Sequence, residues 1–390
     1  MDETGSRNES KLKNYIVKYK KQIITATALL ILVVAVFLFM KNNYSQYKDT
    51  IGTVSKANTQ YTTDEVGPNK EVDKQYTQKL TIKIRNGEYE GKLIEITNRY
   101  SETQMKDTRY AEGDDVFITI EDRDGILTGA IRDVKRDQYV VVMALIFIIL
   151  LIAISGKQGI LTILSLVVNI GIFLLFMRRY IEGESFEILT IAMVLSFSIL
   201  TLFILGGVNR KSIGAVISSL VTVGLITIIY QLVYRFVEKP PYEMLDYVVG
   251  HDDFKGIFTG SVIIGSLGAI MDVAITMNSS ICELIDTTPK ITVKDLIRSA
   301  REIGYDIMGT MVNVLFFTYI SGSLPMTILK FKNGYGLLAM IRYNVFFEAA
   351  RFLLGSIGIV LAIPVSTVVA LLIFNRKRKQ VEKSLPTHEN

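Results

Sequence analysis

The sequence is poor in the side chains on which most metal and nucleophile chemistry depends. Among its 390 residues there is one cysteine, Cys282, and there are two histidines, His251 and His388. A single cysteine excludes an intramolecular disulfide and cysteine-rich zinc or iron–sulfur sites. Two histidines leave little material for a histidine metal centre or a Ser-His-Asp triad. No P-loop or dinucleotide fingerprint is present either, so no cofactor and no catalytic residue is predicted.

Charge is also scarce. Only 21% of the residues are charged and 49% are hydrophobic, and the mean hydropathy is +0.34. This composition is too apolar for an ordinary soluble enzyme of this length and indicates a polytopic membrane protein in a lipid bilayer. The net charge is +5, but the basic residues flank apolar runs. They are therefore read as topology signals, and no nucleic-acid partner is predicted.

Eight apolar runs are long enough to predict membrane-spanning helices. They cover residues 23–40, 139–155, 159–177, 186–206, 212–234, 256–278, 305–329 and 345–374. The predicted fold is therefore an α-helical polytopic membrane protein of about eight transmembrane helices, with a seven-helix domain over 139–374. The last run is longer than the hydrocarbon core requires and contains Pro364, so one tilted helix and a broken helix both fit.

Lysine and arginine predict the orientation. The segments that are cytoplasmic in an N-terminus-inside arrangement carry more than twice as many of these residues as the short outer loops. We therefore expect a bacterial cytoplasmic-membrane protein with both termini in the cytoplasm, a basic N-terminus at 1–22 and a basic tail at 375–390. Basic residues before 23–40 also fit a cleaved signal peptide. The absence of a small-x-small cleavage site favours a signal anchor.

Residues 41–138 have a different composition and predict a small extracytoplasmic domain. From about residue 79 the sequence alternates, and Asn86-Gly87 and Asp124-Gly125 are hairpin signals, which together indicate a β-rich barrel or sandwich. Either a ligand or partner domain or a packing module fits this segment. It also holds an acidic series that is either a cation site or a solvated strand edge: Glu112, Asp114, Asp115, Glu121, Asp122 and Asp124.

The sixth run carries an aspartate, Asp272, in the phrase GAIMDVAITMN. A carboxylate within a span costs roughly 2.5–3.5 kcal/mol on insertion scales and needs a partner, a proton, a cavity or an ion. Helical spacing places Gly265, Gly268 and Thr276 on the same stripe. Packing explains the small residues but leaves the carboxylate unexplained.

The seventh run repeats this pattern with Asp306, Thr310 and Asn313 on one face. Counted from the expected helix ends, Asp272 and Asp306 lie at similar depth near the cytoplasmic side. We therefore predict a cation or proton pathway lined by six residues. They are Asp272, Thr276, Asn278, Asp306, Thr310 and Asn313.

Three further polar features lie near or within the spans. Glu348 and Arg351 are spaced as an ion pair that lowers the insertion cost, and a substrate role is the alternative. Asn169 is expected to form an interhelical hydrogen bond. Thr292 and Asp295 form a capping box that predicts a short cytoplasmic helix over 293–303, ending at Gly304.

Four phrases of the chain resemble a known family. AEGDDV, GKQG, GAIMDVAITMNSS and GYDIMGTMVNVLFFTYISGSLP are similar to the YibE/F-like multi-pass membrane proteins of bacteria, over about residues 80–374. The resemblance implies the multi-pass topology and implies no substrate or reaction.

Three functions fit these observations. The first is a permease that moves a cation or a proton-coupled small solute through the sixth and seventh helices, alone, as a homo-oligomer or with a sister membrane subunit. The second is a membrane sensor or assembly scaffold that acts through a partner. The third is an intramembrane aspartyl protease built on Asp272 and Asp306, which the absence of a GxGD phrase disfavours.

Overall fold

The computed structural model describes most of the chain as two compact units, Met1–Ile154 and Ser155–Asn390. The first unit holds helix α1, Thr27–Lys41, a β-sheet and nearly all of helix α2, Asp137–Ser155. The second unit is helical. The described residues are 27–67, 70–104, 107–123, 126–236, 254–288 and 291–384.

The sheet of the first unit has five antiparallel strands in the order β3-β2-β1-β4-β5. Gly129 of β5 lies against Ile94 and Ile96 of β3, so the two edge strands approach each other and the sheet curls around a common core. The prediction of a small β-domain before the main helical region is confirmed. The strands are β1 Thr50–Val66, β2 Val72–Ile84, β3 Leu93–Ser101, β4 Asp115–Arg123 and β5 Ile126–Val134.

The predicted start of the β-structure, near residue 79, is wrong. Strand β1 begins at Thr50 and runs for 17 residues. Most of its residues after Val54 are exposed, and it pairs with β2 as far as Val66 and Val72. Because this outer half buries neither face, its sequence lacks the apolar alternation by which a half-buried strand is recognised.

The two sequence signals for hairpins, Asn86-Gly87 and Asp124-Gly125, fall in connections of different length. Strands β4 and β5 pair up to Arg123 and Ile126, and residues 124–125, which hold the Asp124-Gly125 signal, lie outside the described residues. The connection between β2 and β3 is longer and spans residues 85–92. Gly87 in this loop has φ +87°, a left-handed conformation that favours glycine.

Within the described residues, seven helices are long and apolar enough to cross a membrane. Helix α1 is shorter as described, because residues 23–26 of the first predicted span lie outside the described part. The fold class, a polytopic membrane protein with a β-rich N-terminal domain, is confirmed. The remaining long helices are α3 Lys157–Ile181, α4 Phe186–Gly206, α5 Arg210–Phe236, α6 Phe254–Thr287, α7 Val293–Lys332 and α9 Phe346–Ser384.

The separate cytoplasmic helix predicted over 293–303 is wrong. Thr292 does cap the helix, since its side chain accepts a hydrogen bond from the Asp295 amide at 3.1 Å. However, α7 then continues through Gly304 for 40 residues, about 60 Å at 1.5 Å per residue. Gly304 lies inside the helix and contacts Ile363 of α9. A larger residue at position 304 would clash with Ile363, so packing and not helix termination accounts for the glycine.

The last span is one continuous helix. A short helix α8, Leu337–Met340, passes through a π-helical turn at Ile341–Val345 into α9. Pro364 lies inside α9 without ending it. The helix extends to Ser384, so the predicted basic tail begins as helix. Residues 385–390 and the predicted N-terminus at 1–22 lie outside the described residues.

Helix α6 lies at the centre of the second unit. Its buried face, with Ile270, Val273, Met277 and Ile281, packs into a core shared with α4, α5, α7 and α9. Small residues permit this packing: Gly358 of α9, for example, lies against Ile270. The position of this buried face determines the direction in which each polar residue of α6 points.

Candidate functional site

Asp272 lies near the middle of α6, on the side opposite the core. Its neighbours Val273 and Ala274 are fully buried, whereas Asp272 itself is exposed. Its backbone carbonyl accepts a hydrogen bond from the Thr276 hydroxyl at 2.7 Å. Among the described residues, no hydrogen bond or ion pair reaches its carboxylate.

The stripe around Asp272 is open. Thr276 and Gly268 are exposed, and no side chain lies within 4 Å of the position that a Cβ on Gly268 would take. Small residues one turn away on each side therefore leave space around the carboxylate. Within one chain this face of α6 has no covering helix at Gly268.

The predicted residues of α7 are also exposed. Thr310 donates to the carbonyl of Ile307 at 2.9 Å, and Asn313 donates to the carbonyl of Gly309 at 2.7 Å. Asp306 is exposed, and its backbone carbonyl lies 3.4 Å from the Thr310 hydroxyl. These groups form hydrogen bonds within their own helix.

The structure does not join the α6 and α7 groups directly. Gly265 of α6 lies against the Tyr319 hydroxyl of α7, which places Asn313 within about one turn of the depth of Asp272. Between the described side chains, no hydrogen bond or ion pair connects Asp272 with Asp306 or Asn313. A protease dyad requires two carboxylates that share a proton, and this arrangement does not supply one.

Asn278 faces a different part of the molecule. It is fully buried, and its amide donates to Ser218 of α5 at 3.2 Å and to the carbonyl of Ala274 at 2.8 Å. Gly214 of α5 lies against the same amide group. Asn278 therefore does not share a face with Asp272 as the predicted pathway requires, because six residues along a helix separate two side chains by about 120° around its axis.

The sequence reasoning did not identify the small hydroxyl residues that are buried on α4, α5, α6 and α9, one of which, Ser218, contacts Asn278. The available signal on α5 was that Ser218 and Ser219 lie four and three residues before Thr222. These buried residues are Ser198, Ser212, Ser218, Ser219, Thr222, Ser266 and Ser366.

A second polar cluster joins three helices. Arg351 Nη1 of α9 lies 2.6 Å from Glu348 Oε1, and its Nε lies 3.3 Å from the hydroxyl of Ser261 on α6. The guanidinium carbon lies 5.5 Å from the ring centroid of Phe258. The Tyr319 hydroxyl of α7 lies against Gly265, four residues after Ser261 on α6.

A cavity of about 260 Å³ lies beside this pair, between α7 and the start of α9. Glu348 lines it together with Tyr319, Ser323 and Thr327, and aromatic side chains complete the wall. Polar groups of different helices converge here more closely than around Asp272. Ser323, Thr327 and Tyr319 were not among the predicted site residues.

Asn169 takes its expected role. Its amide nitrogen and the Thr201 hydroxyl lie 2.9 Å apart across α3 and α4, and the hydroxyl lies 3.2 Å from the amide oxygen. This reciprocal pair confirms the predicted interhelical hydrogen bond.

A polar clamp ties the sheet of the first unit to its two helices. We use the term for Lys135, Asp137, Tyr47 and Met40. The Lys135 side chain is fully buried, its Nζ lies 2.9 Å from Asp137 Oδ1, and it donates to the carbonyl of Met40. Tyr47 donates to Asp137 Oδ2 at 2.5 Å. The clamp thus connects α1, the loop before β1 and the start of α2.

The acidic series of the first unit has structural partners. Buried Asp115 accepts hydrogen bonds from Tyr44 at 3.0 Å and from Thr53 at 2.5 Å. Asp114 accepts from the Ala111 amide at 2.7 Å. Among the described residues, no group of three or more histidine, cysteine or acidic side chains is placed to hold a metal ion.

Burial also affects the tyrosines of this region. It raises the pKa of the Tyr44 hydroxyl above its ordinary value, and the negative charge of Asp115 adds to the effect. Burial and the hydrogen bond to Asp137 raise the pKa of Tyr47 in the same direction. Both hydroxyls are therefore held as neutral donors.

Family comparisons cover most of the chain. The family model described as YibE/F-like protein matches residues 143–376, and the model described as YibE/F family N-terminal domain matches residues 45–134. The comparisons with curated proteins and with solved structures gave no match. The two matched regions correspond to the helical region and to the curled sheet.

Proposed function

The chain belongs to the YibE/F-like family, and from this premise we propose that it is a membrane permease that moves a cation or a proton-coupled small solute. The observation that carries the proposal is the carboxylate of Asp272. It lies 18 residues after the start of α6 and 15 before its end, on an exposed face, and no described side chain neutralises it.

The physical argument concerns the two protonation states of this carboxylate. An ionised aspartate at the centre of a span costs roughly 2.5–3.5 kcal/mol, so it is stable there when it binds a cation or a proton or meets water. A carboxylate that binds a cation or proton from one side of the membrane and releases it to the other moves that ion across. Gly268 leaves room beside it, and Thr276 offers a hydroxyl one turn away.

The pathway extends to α7 and to a further subunit. Asp306, Thr310 and Asn313 supply polar groups on the neighbouring helix, all on exposed positions. Since one chain leaves Gly268 uncovered, a second copy or a sister membrane subunit completes the wall. The proposed setting is a bacterial cytoplasmic membrane, with both termini in the cytoplasm as the distribution of lysine and arginine predicts.

The test is ion flux in proteoliposomes that contain the purified full-length chain. Fluxes of protons and of a panel of monovalent and divalent cations are compared for the wild type, Asp272→Asn and Asp272→Glu. We expect at least a tenfold loss in the Asn variant and partial activity in the Glu variant. Glu302→Gln removes an exposed carboxylate of α7 that pairs with Arg298 and should leave the flux unchanged.

Two results would overturn the permease. One is wild-type flux across the whole panel that does not exceed that of empty vesicles. The other is full flux in a correctly folded Asp272→Asn variant, as judged by size-exclusion chromatography and thermal unfolding.

A second candidate function is a membrane sensor or assembly scaffold, and the polar clamp favours it. Buried Lys135 connects the sheet to α1 and α2, so a ligand that moves the sheet would move both helices. Hydrogen exchange over residues 40–47 and 135–140 of the reconstituted chain, measured against pH and divalent cations, tests this coupling. If protection from exchange is the same under every condition, neither pH nor divalent cations act as the signal for this sensor.

A further inference from the structure

A second cavity lies between α7 and α9, on the part of α7 before its midpoint. Its volume is about 400 Å³, and most of its wall is apolar, with Ile297 and Met308 from α7 and Ile363 and Leu371 from α9. We call it the α7–α9 groove. The α9 side of the groove belongs to the apolar span Phe346–Ile373, so we expect this wall to face hydrocarbon.

A close contact between the two helices determines where the groove lies. Gly304 lies against Ile363, so the two helices touch at this point with no side chain between them. Pro364, the next residue, also lines the groove. A proline inside a helix has no amide hydrogen and cannot donate to the carbonyl four residues before it.

The groove also contains a cation, between Ile297 at one end and Met308 at the other. Arg301 lines it and is exposed. Among the described residues, no carboxylate pairs with Arg301, whereas its neighbour Arg298 lies 3.6 Å from Glu302. Tyr305 lies one turn further along α7, also lines the groove and is 57% exposed. A guanidinium and a phenol within a mostly apolar groove match a molecule with an anionic head and a hydrocarbon tail.

We propose that the α7–α9 groove binds an anionic phospholipid, with one acyl chain along the apolar wall and the phosphate at Arg301 and Tyr305. Basic pockets between transmembrane helices are suited to anionic headgroups, and tyrosine is favoured at the membrane interface. A free phosphate ion would leave the apolar wall unused. A zwitterionic lipid would fill the slot but gain less from the unpaired guanidinium.

The absence of tryptophan from the chain makes a direct test feasible. Val368 lines the groove and is 55% exposed, so Val368→Trp places a single fluorophore there. The full-length variant is reconstituted in phosphatidylcholine vesicles with a small fraction of dibrominated phosphatidylglycerol or of dibrominated phosphatidylcholine. We expect the anionic lipid to quench about fivefold more effectively, as one basic contact implies.

Three controls define the site. Arg301→Gln in the reporter background should remove the preference, and Lys294→Gln, an exposed lysine of α7 outside the groove, should keep it. Leu353→Trp places a fluorophore on α9 at a 56% exposed position outside the groove and should show equal quenching by the two lipids.

Two outcomes would overturn the proposal: equal quenching at Val368→Trp, or a preference that persists in Arg301→Gln. Because the reporter itself changes the wall, native mass spectrometry of the unmodified chain supplies a second measurement. In these spectra the wild type should retain more bound phosphatidylglycerol than phosphatidylcholine, and the Arg301→Gln variant should retain the two lipids equally. Equal retention by both proteins would contradict the site. Neither measurement depends on transport.

Discussion

Gly304 of α7 and Ile363 of α9 meet so closely that a Cβ on the glycine would lie 2.5 Å from Cγ2 of the isoleucine. This contact fixes the two longest helices of the second unit against each other. The α7–α9 groove lies around it, and the cavity lined by Glu348 lies further along the same pair of helices. The walls of the α7–α9 groove therefore meet at a glycine that the sequence suggested as a helix stop.

Replacement of Gly304 by valine should destabilise the protein. Two methyl groups have no space beside Ile363, and overpacking of this kind costs about 1–3 kcal/mol. Thermal unfolding of the purified chain in detergent measures the loss. Gly309→Val is the matched control, because no side chain lies within 4 Å of its Cβ position. Equal shifts in the two variants would show that helix propensity, and not this contact, sets the effect.

Replacement of Lys135 by methionine should loosen the first unit. The change leaves the Asp137 carboxylate and the Met40 carbonyl without the buried ammonium. Removing one partner of a buried ion pair is strongly destabilising. We expect a loss of about 3 kcal/mol, at the low end of the usual range, because Asp137 is partly exposed. Limited proteolysis of the reconstituted chain should cleave faster near residues 40–47. Lys83→Met, at an exposed position of β2, should not change the cleavage rate.

Replacement of Asn86 by aspartate tests the loop between β2 and β3. The buried Asn86 side chain accepts from the Ile51 amide at 2.6 Å. It donates to the carbonyls of Tyr44, Tyr47 and Asp49 at 2.9, 3.2 and 3.0 Å. Aspartate keeps the acceptor but has no N–H, so the two amide hydrogens that the three carbonyls share are lost, which at about 1 kcal/mol each predicts a loss of about 2 kcal/mol.

The Asn86→Asp effect should appear in the unfolding of the sheet, followed by circular dichroism. Asn58→Asp is its control, because it makes the same chemical change at an exposed position of β1. A loss of similar size at both positions would mean that added charge, and not the lost hydrogen bonds, is responsible.

The raised pKa of Tyr44 predicts an alkaline transition. The folded hydroxyl keeps its proton to higher pH than the unfolded one, so its contribution to stability is complete below the unfolded pKa, about 10. That contribution decreases as pH rises through the folded pKa. Unfolding of the wild type and Tyr44→Phe from pH 8 to 12 should show a steeper loss in the wild type. Parallel pH profiles would contradict this role.

Local hydrophobicity was enough to predict the spans. The run 186–206 coincides with α4, Phe186–Gly206, because hydropathy and helix length are properties of consecutive residues. Strand β1 was missed because its exposed half depends on pairing with β2 and not on its own pattern. The burial of Lys135 was missed for a similar reason, since Met40 and Tyr47 lie about ninety residues earlier in the chain.

The candidate site shows the same limit. Helical spacing correctly placed Asp272 and Thr276 on one exposed stripe of α6. The same spacing separates Asn278 from that stripe by about 120°, but it could not show that this other face packs against Ser218, because that contact depends on the position of α5. The Glu348–Arg351 pair follows from spacing alone, but its contacts with Ser261 and Phe258 require the packed helices.

The ion pair between Glu348 and Arg351 should be coupled more strongly than a surface pair. Both side chains are about three-quarters buried, so Arg351→Met alone leaves a carboxylate beside an apolar cavity and costs about 3 kcal/mol. Glu348→Gln in the same chain removes that charge and should recover part of the loss. A double-mutant cycle on thermal unfolding should give a coupling energy of about 1–3 kcal/mol.

Arg178 in the last turn of α3 and Glu182 directly after that helix supply the comparison, because they lie 3.0 Å apart with side chains 79% and 47% exposed. Their cycle, Arg178→Met with Glu182→Gln, should give at most about 0.5 kcal/mol. Equal coupling in the two pairs would mean that water or lipid headgroups solvate Glu348 as well as they solvate Glu182. A large difference would instead identify the 260 Å³ cavity as a dry compartment, in which a single unpaired charge has a large effect on stability.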